Sequence, residues 1–137
     1  MTEKELQQYI RVNYPKEDEG CEWKEFKTMK NAFSGDAGND VVSYVSALAN
    51  MEGGHLVIGV EDKTLEIIGI DNYNYDAEKV RLRLKDQCAN LPTEGLRLQE
   101  FRTDDTQKLV WVLTVPRHNL RLPVYAHSKA WQRLDDS

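Results

Sequence analysis

Cysteine is scarce in this chain: Cys21 and Cys88 stand alone, with no CxxC pair. Two isolated thiols indicate neither a disulfide framework nor a zinc site, and Cys88 reads as a small buried apolar residue. Long apolar runs are missing too, since none approaches the ~18 residues of a membrane span. The start, Met1-Thr2-Glu3-Lys4-Glu5-Leu6, lacks the basic cap and apolar stretch of a secretion signal. A soluble, cytoplasmic protein without membrane contact is the expectation. Standard catalytic signatures are absent as well: there is no G-x-x-x-x-G-K-[ST] phosphate loop, no G-x-G-x-x-G, no HExxH and no G-x-S-x-G. His55, His118 and His127 lie far apart in sequence and read as partly exposed polar residues.

What is present describes one globular domain spanning 1–137, at 40% hydrophobic and 30% charged. The net charge of −5 argues against a general polyanion binder, because phosphate affinity comes mostly from Lys and Arg. The distribution is more informative than the sum. Residues 106–133 carry Lys108, Arg117, Arg121, Lys129 and Arg133 with no Asp or Glu, whereas the first 105 residues hold 13 basic groups against 21 acidic. An acidic body with a basic end points to an anionic partner. The plainer alternative is a solvated surface that happens to be basic.

Hydrophobic spacing predicts a helix over 2–13, with Leu6, Tyr9 and Ile10 on one face and a Thr2/Glu5 capping box. Pro15 stops it, a charged loop follows over 16–20, and Glu22–Lys27 reads as a short half-buried strand. Residues 28–37 lack periodicity and read as a loop. Asn39 or Asp40 is placed to cap a helix over about 40–50, with Val41, Val42, Val45, Leu48 and Ala49 as its apolar stripe. Gly53-Gly54 turns the chain into Leu56–Val60, apolar enough for a doubly covered strand, and Leu65–Ile70 is expected to return as its hairpin partner. A third helix is expected from Asp76 to about Ala89, with Ala77, Val80, Leu84 and Cys88 on one face and Leu91-Pro92 ending it. Strands follow at Leu96–Arg102, with Leu96, Leu98 and Phe101 inward, and at Leu109–Val115. Two short extended pieces, Val124–Ala126 and Ala130–Arg133, complete the chain. The fold class is α+β: two layers, a mixed and mostly antiparallel sheet of about six strands, with about three helices on one face.

Two constellations carry chemistry. One is a set of carboxylates, Glu22 and Glu25 around one strand and Glu61 and Asp62 at the end of another. If the strands pair, these acids converge, and a Mg²⁺ or Mn²⁺ ion among them would activate water against a phosphodiester. The alternative is structural: Glu22 and Glu25 pair with Lys24 and Lys27, and Asp62 caps the turn. The other constellation is the basic tail, in which Arg121, Lys129 and Arg133 alternate with Tyr125 and Trp131. Arg and Lys hold phosphates and aromatic rings stack on unpaired bases, although on a strand such rings are equally often core plugs.

Taken in order, four blocks resemble the AlbA-type (AlbA_2) nucleic-acid-binding domain of Schlafen proteins and many bacterial proteins. They are Glu22-x-x-Glu25-Phe26-Lys27; Ser46-Ala47-Leu48-Ala49-Asn50-x-Glu52-Gly53-Gly54; Leu56-Val57-Ile58-Gly59-Val60-Glu61-Asp62 with Ile68-Gly69-Ile70; and Pro123-Val124-Tyr125 leading to Trp131-x-Arg133. The resemblance runs from about residue 19 to 134, with Asn50, Gly53, Gly54 and Gly59 as its structural marks. It implies an α+β fold and a nucleic-acid-binding module, DNA or RNA, of the kind labelled a transcriptional regulator in bacteria. Phosphate contacts are expected from Lys27, Arg117, Arg121, Lys129 and Arg133, with Tyr125 beside them. No cofactor is expected under that reading. The alternative that the resemblance brings is a Mg- or Mn-dependent ribonuclease, as in some animal Schlafens, with Glu25 and Asp62 at two of the three acidic positions. Gly20 occupies the third, with Glu19 and Glu22 one and two residues away, and such enzymes use two copies of the domain, which for a single copy implies a homodimer or a borrowed neighbour. A protein-interaction or assembly domain without nucleic acid is the remaining reading. Family members usually continue past the Arg block, so this chain is expected to be a piece of a longer protein.

Overall fold

The structure, a computed structural model, describes residues 1–15, 20–25, 41–70, 77–92, 94–119, 121–126 and 129–130, with backbone only at 77, 129 and 130. Among them run three helices, α1 (Glu3–Asn13), α2 (Val41–Asn50) and α3 (Ala77–Gln87). The strands are β1 (Cys21–Lys24), β2 (Gly54–Ile58), β3 (Cys88–Ala89), β4 (Arg97–Arg102), β5 (Leu109–Val115), β6 (Tyr125–Ala126) and β7 (Lys129–Ala130). β1, β2, β5 and β4 form one sheet in that order, and β3, β6 and β7 a smaller one. Only β1 and β2 run parallel; every other pair is antiparallel. The α+β class and the mixed, mostly antiparallel sheet therefore stand.

α1 forms where the capping box places it. The Thr2 side chain accepts from Glu5 N while Glu5 accepts from Thr2 N, so two otherwise orphaned donors are satisfied. The Thr2 backbone N–H first, then the Thr2 side chain, hold the Glu5 carboxyl below its ordinary pKa, because hydrogen bonds to the carboxylate favour the charged form. Leu6 and Ile10 point inward and are fully buried. They pack on Trp23, Val57, Val110 and Val112, one face of the large sheet. The opposite face carries Leu56, Ile58, Trp111, Leu113 and Val115 against α2 and α3. Helices on one face thus describes α2 and α3, and α1 is the exception that covers the other side. Period-two alternation along β2 and β5 makes this necessary: both strands are apolar on both faces, so both faces need a cover.

α2 is buried nearly all round, from Val41 to Ala49, because the sheet lies beneath it and the 122–126 segment crosses it. At its end, Gly53 turns at φ +80 and returns its N–H to Leu48 O at 2.9 Å. No side chain fits there: a Cβ on Gly53 would stand 2.6 Å from Val115 O. A Cβ on Gly54 would overlap the Gly20 carbonyl, which is the acceptor for His55 N at 2.7 Å. The Gly-Gly pair is what allows β2 to start directly against β1.

Several expectations need correction. Leu65–Ile70 is not a strand beside β2; it makes one antiparallel bridge, Val60 to Ile67. β2 already has β1 and β5 as neighbours, and the Ile68 and Gly69 N–H groups both turn onto Gly59 O, at 2.9 and 2.8 Å. α3 ends at Gln87 rather than near Ala89, because Cys88 and Ala89 leave the helix to pair with Ala126 and Tyr125. Cys88 is buried as expected, but on a strand. Leu98 and Phe101, differing in parity, pack on opposite faces of the sheet. The caps expected at Asn39, Asp40 and Asp76, the loop 28–37 and the side chains of Phe26, His127 and Trp131 lie outside the described residues.

Candidate nucleic-acid interface

The basic C-terminal segment is a strap across the end of α2. Leaving β5 at Val115, the chain passes Pro116 and exposed Arg117 to His118. His118 bonds Ala49 O twice, through its backbone N–H and its ring Nδ1, both at 2.8 Å. The ring nitrogen must carry the hydrogen, since a carbonyl only accepts. Exposed Arg121 then takes a left-handed conformation, φ +63, in a turn closed by Leu122 N to Asn119 O at 3.0 Å. Pro123-Val124-Tyr125 is fastened next. The Asn50 amide accepts from Val124 N at 2.6 Å and donates to Val124 O at 2.9 Å, mimicking a strand partner. Ser46, one turn earlier on the same helix face, donates to Val124 O at 2.8 Å. Asn90 donates to Pro123 O at 3.1 Å.

These bonds explain the co-occurrence of two sequence blocks. Ser46 and Asn50 belong to one and Val124 to the other, and each block completes the hydrogen bonding of its counterpart. Val124 and Ala126 face inward and are buried, so Tyr125 between them faces out at 38% exposure. Neither Arg117 nor Arg121 has a carboxylate within ion-pair reach among the described residues. Lys108, the other basic residue of the described part of this segment, is engaged elsewhere. Its Nζ lies 2.6 Å from Glu3 Oε1 and 3.1 Å from Ile67 O, and the Glu3 carboxylate raises its pKa. Lys27 and Arg133 lie outside the described residues, and Lys129 contributes its backbone to β7.

The acids fall differently. Glu22 is buried, 2% exposed, on the α2 face of β1, with Lys24 Nζ 3.9 Å away. That ammonium also lies 4.7 Å from the Tyr44 ring centroid. Glu25 is exposed just past β1, and half-buried Asp62 follows β2. The parallel pairing does bring the ends of β1 and β2 together, since Lys24 O accepts from Gly59 N at 2.9 Å. Even so, no group of three or more His, Cys, Asp or Glu among the described residues is arranged to hold a metal. Glu61 caps the 61–64 turn. Glu61 accepts from Lys63 N and from the Thr64 hydroxyl, at 2.9 and 2.8 Å. Bonds from Thr64 first, then Lys63, hold its pKa down at about 2.

Strand direction separates the two constellations. Gly54 pairs with Val115, so Arg117 lies at the start of β2, whereas Asp62 lies past its end. Five residues of strand, roughly 15 Å, lie between them. The strap residues Ser46, Asn90 and His118 had no individual signal in the sequence. Ser46 and Asn50, four apart on one helix face and in one sequence block, were the one legible hint.

The order of these blocks matches the family described as Schlafen, AlbA_2, over residues 17–137. The chain belongs to the Schlafen AlbA_2 family. The family match begins after α1, which nevertheless supplies the cover of one sheet face. Among solved structures, the AlbA_2 fold here is similar to that of the DIP2311 protein from Corynebacterium diphtheriae, at 22% identity and a TM-score of 0.61. That likeness covers 89% of this chain and 22% of that one, so the chain spans under a quarter of its relative. It is also similar to the N-terminal domain of a RecG-related protein from Nitrosomonas europaea, at 22% identity and a TM-score of 0.45, covering 100% of this chain and 91% of that one. No helix among the described residues is long and apolar enough to cross a membrane.

Proposed function

We propose that this AlbA_2 domain is a nucleic-acid-binding module of a cytoplasmic regulatory protein, holding phosphates through the strap that crosses the end of α2. The observation that carries the reading is the state of Arg117 and Arg121. Both are exposed and without a carboxylate partner among the described residues, in a domain whose net charge is −5. The backbone beside them is fixed at His118 by Ala49 and at Pro123 and Val124 by Asn90, Ser46 and Asn50, so the strap that carries the guanidinium groups is held in place. Preorganisation of this kind lowers the entropy lost on binding. Lys27, Lys129 and Arg133, whose side chains lie outside the described residues, are the further phosphate contacts of this reading. Family membership supports it from a separate direction.

The test is oligonucleotide binding across a salt series. Changing Arg117 and Arg121 together to Ala should weaken binding and flatten the slope of log K against log salt by roughly 0.7–0.9 for each phosphate no longer neutralised. Unchanged affinity in the double variant would remove the strap from the interface. Repeating the incubation with Mn²⁺ addresses the nuclease alternative. Cleavage abolished by Asp62→Ala would move the functional centre to the other end of β2.

A further inference from the structure

A basic strap binds phosphates of any strand, but one residue on it addresses the bases. We propose that Tyr125 is a stacking platform, and that the ligand of this surface is a single-stranded nucleic acid with unpaired bases. The inference rests on the nucleic-acid reading above and narrows it to a ligand class.

Tyr125 occupies the central strand of the β3-β6-β7 sheet. Its register partners are Ala89 on one side and Ala130 on the other. Alanine reaches no further than Cβ, so the Ala89 side chain is too short to cover the phenol ring. Cross-strand neighbours would otherwise be the natural cover, since opposed Cβ atoms stand about 5 Å apart. No other aromatic ring packs on Tyr125 among the described residues, in contrast to Tyr9, Tyr14, Phe101 and His55, which pack on one another. Its hydroxyl makes no hydrogen bond to the described residues. Aromatic residues in a folded core normally gain both apolar cover and a partner for the polar tip. Among the described residues Tyr125 has no partner for its hydroxyl, and it stays 38% exposed although the residues on both sides of it are fully buried.

The rest of the strap suits the same ligand. Arg121 stands four residues before Tyr125 in a left-handed turn, and Leu122 beside it is 47% exposed. Left-handed backbone at a non-glycine residue is a local cost that tertiary contacts must sustain. A guanidinium for the phosphate, an apolar side chain and an open ring within five residues match one nucleotide of an unstacked strand. The base of a duplex is out of reach of such a ring, because both of its faces are already stacked.

The experiment compares one short fluorescein-labelled RNA strand, the same strand annealed to its complement, and the DNA versions of both, by anisotropy. Wild-type protein should prefer the single strand, with the RNA and DNA arms telling which sugar is favoured. Tyr125→Ala should weaken single-strand binding by about tenfold or more, leave duplex binding unchanged, and leave the salt slope unchanged. Tyr125→Phe, which keeps the ring, should bind and melt as wild type does, and Tyr125→Ala should keep the wild-type circular dichroism spectrum at the assay temperature. Equal affinity of Tyr125→Ala and wild type for the single strand would overturn the proposal, as would a wild-type preference for duplex. If Arg117 and Arg121 matter and Tyr125 does not, phosphate binding survives and stacking fails. If the wild-type protein binds none of the four probes, the nucleic-acid reading itself is at fault.

Discussion

Replacing Asn50 with Ala tests the reasoning about the strap most directly. The substitution removes the bond from Val124 N at 2.6 Å and the bond to Val124 O at 2.9 Å. Val124 is fully buried, so its N–H is left without water to replace the missing acceptor. Its carbonyl keeps the Ser46 hydroxyl at 2.8 Å. A typical internal hydrogen bond contributes about 1 kcal/mol net, and an abandoned buried donor costs about 1–3 kcal/mol. The expected loss is therefore about 2–4 kcal/mol, and about 1 kcal/mol for Ser46→Ala, whose carbonyl partner keeps Asn50. Urea unfolding followed by circular dichroism measures both, with the m-value checking that the two-state comparison holds. The ordering is the decisive feature. If Ser46→Ala proved as costly as Asn50→Ala, the donor at Val124 would not be what the amide serves, and the account of the paired blocks would fail.

Two further perturbations probe other parts of the frame. Gly54→Ala forces a Cβ into the Gly20 carbonyl and should cost more than about 3 kcal/mol in unfolding free energy, since backbone cannot move aside. Gly95→Ala is the control: φ is +90 there, but the added atom meets only Pro116 Cβ at 3.4 Å, so about 1 kcal/mol is expected in the same unfolding assay. Equal losses in the two variants would contradict the close approach of β1 and β2. Glu61 has its pKa lowered from 4.5 to about 2 in the folded chain, so its stabilising contribution is complete above pH 4.5 and disappears as pH falls towards 2. Melting temperature measured across that window should fall less steeply for Glu61→Gln than for wild type; parallel curves would refute the capping role.

Local chemistry was readable wherever it acts over a few residues. The Thr2/Glu5 box, the helix running into Gly53-Gly54 and the apolar Leu109–Val115 strand each follow from contacts between near neighbours in sequence. Cys88 was misplaced because its spacing from Val80 and Leu84 fits a helix. Pairing with the 125–126 segment, nearly 40 residues later, withdrew its backbone from that helix. Phe101 was misplaced for a smaller reason: β4 is a mostly polar strand with one apolar residue on each face, so alternation does not say which side is inward. The acids near Glu25 and Asp62 were expected to converge. Parallel pairing does bring their strands to a common end, yet buried Glu22 points to the α2 face and no metal-holding group forms among the described residues.

The sequence by itself determined the class, the Thr2/Glu5 cap, the glycine turn and the family, because each depends on the stereochemistry of adjacent residues or on blocks whose order is preserved. Tertiary structure alone decided which charges are available. Lys108 is consumed by Glu3 from α1, while Arg117 and Arg121 have no such neighbour among the described residues. It also decided that the arginines and Asp62 lie at opposite ends of β2, a consequence of strand direction. Charge in a sequence is a count, and an ion pair is a distance; only the folded chain supplies the distance.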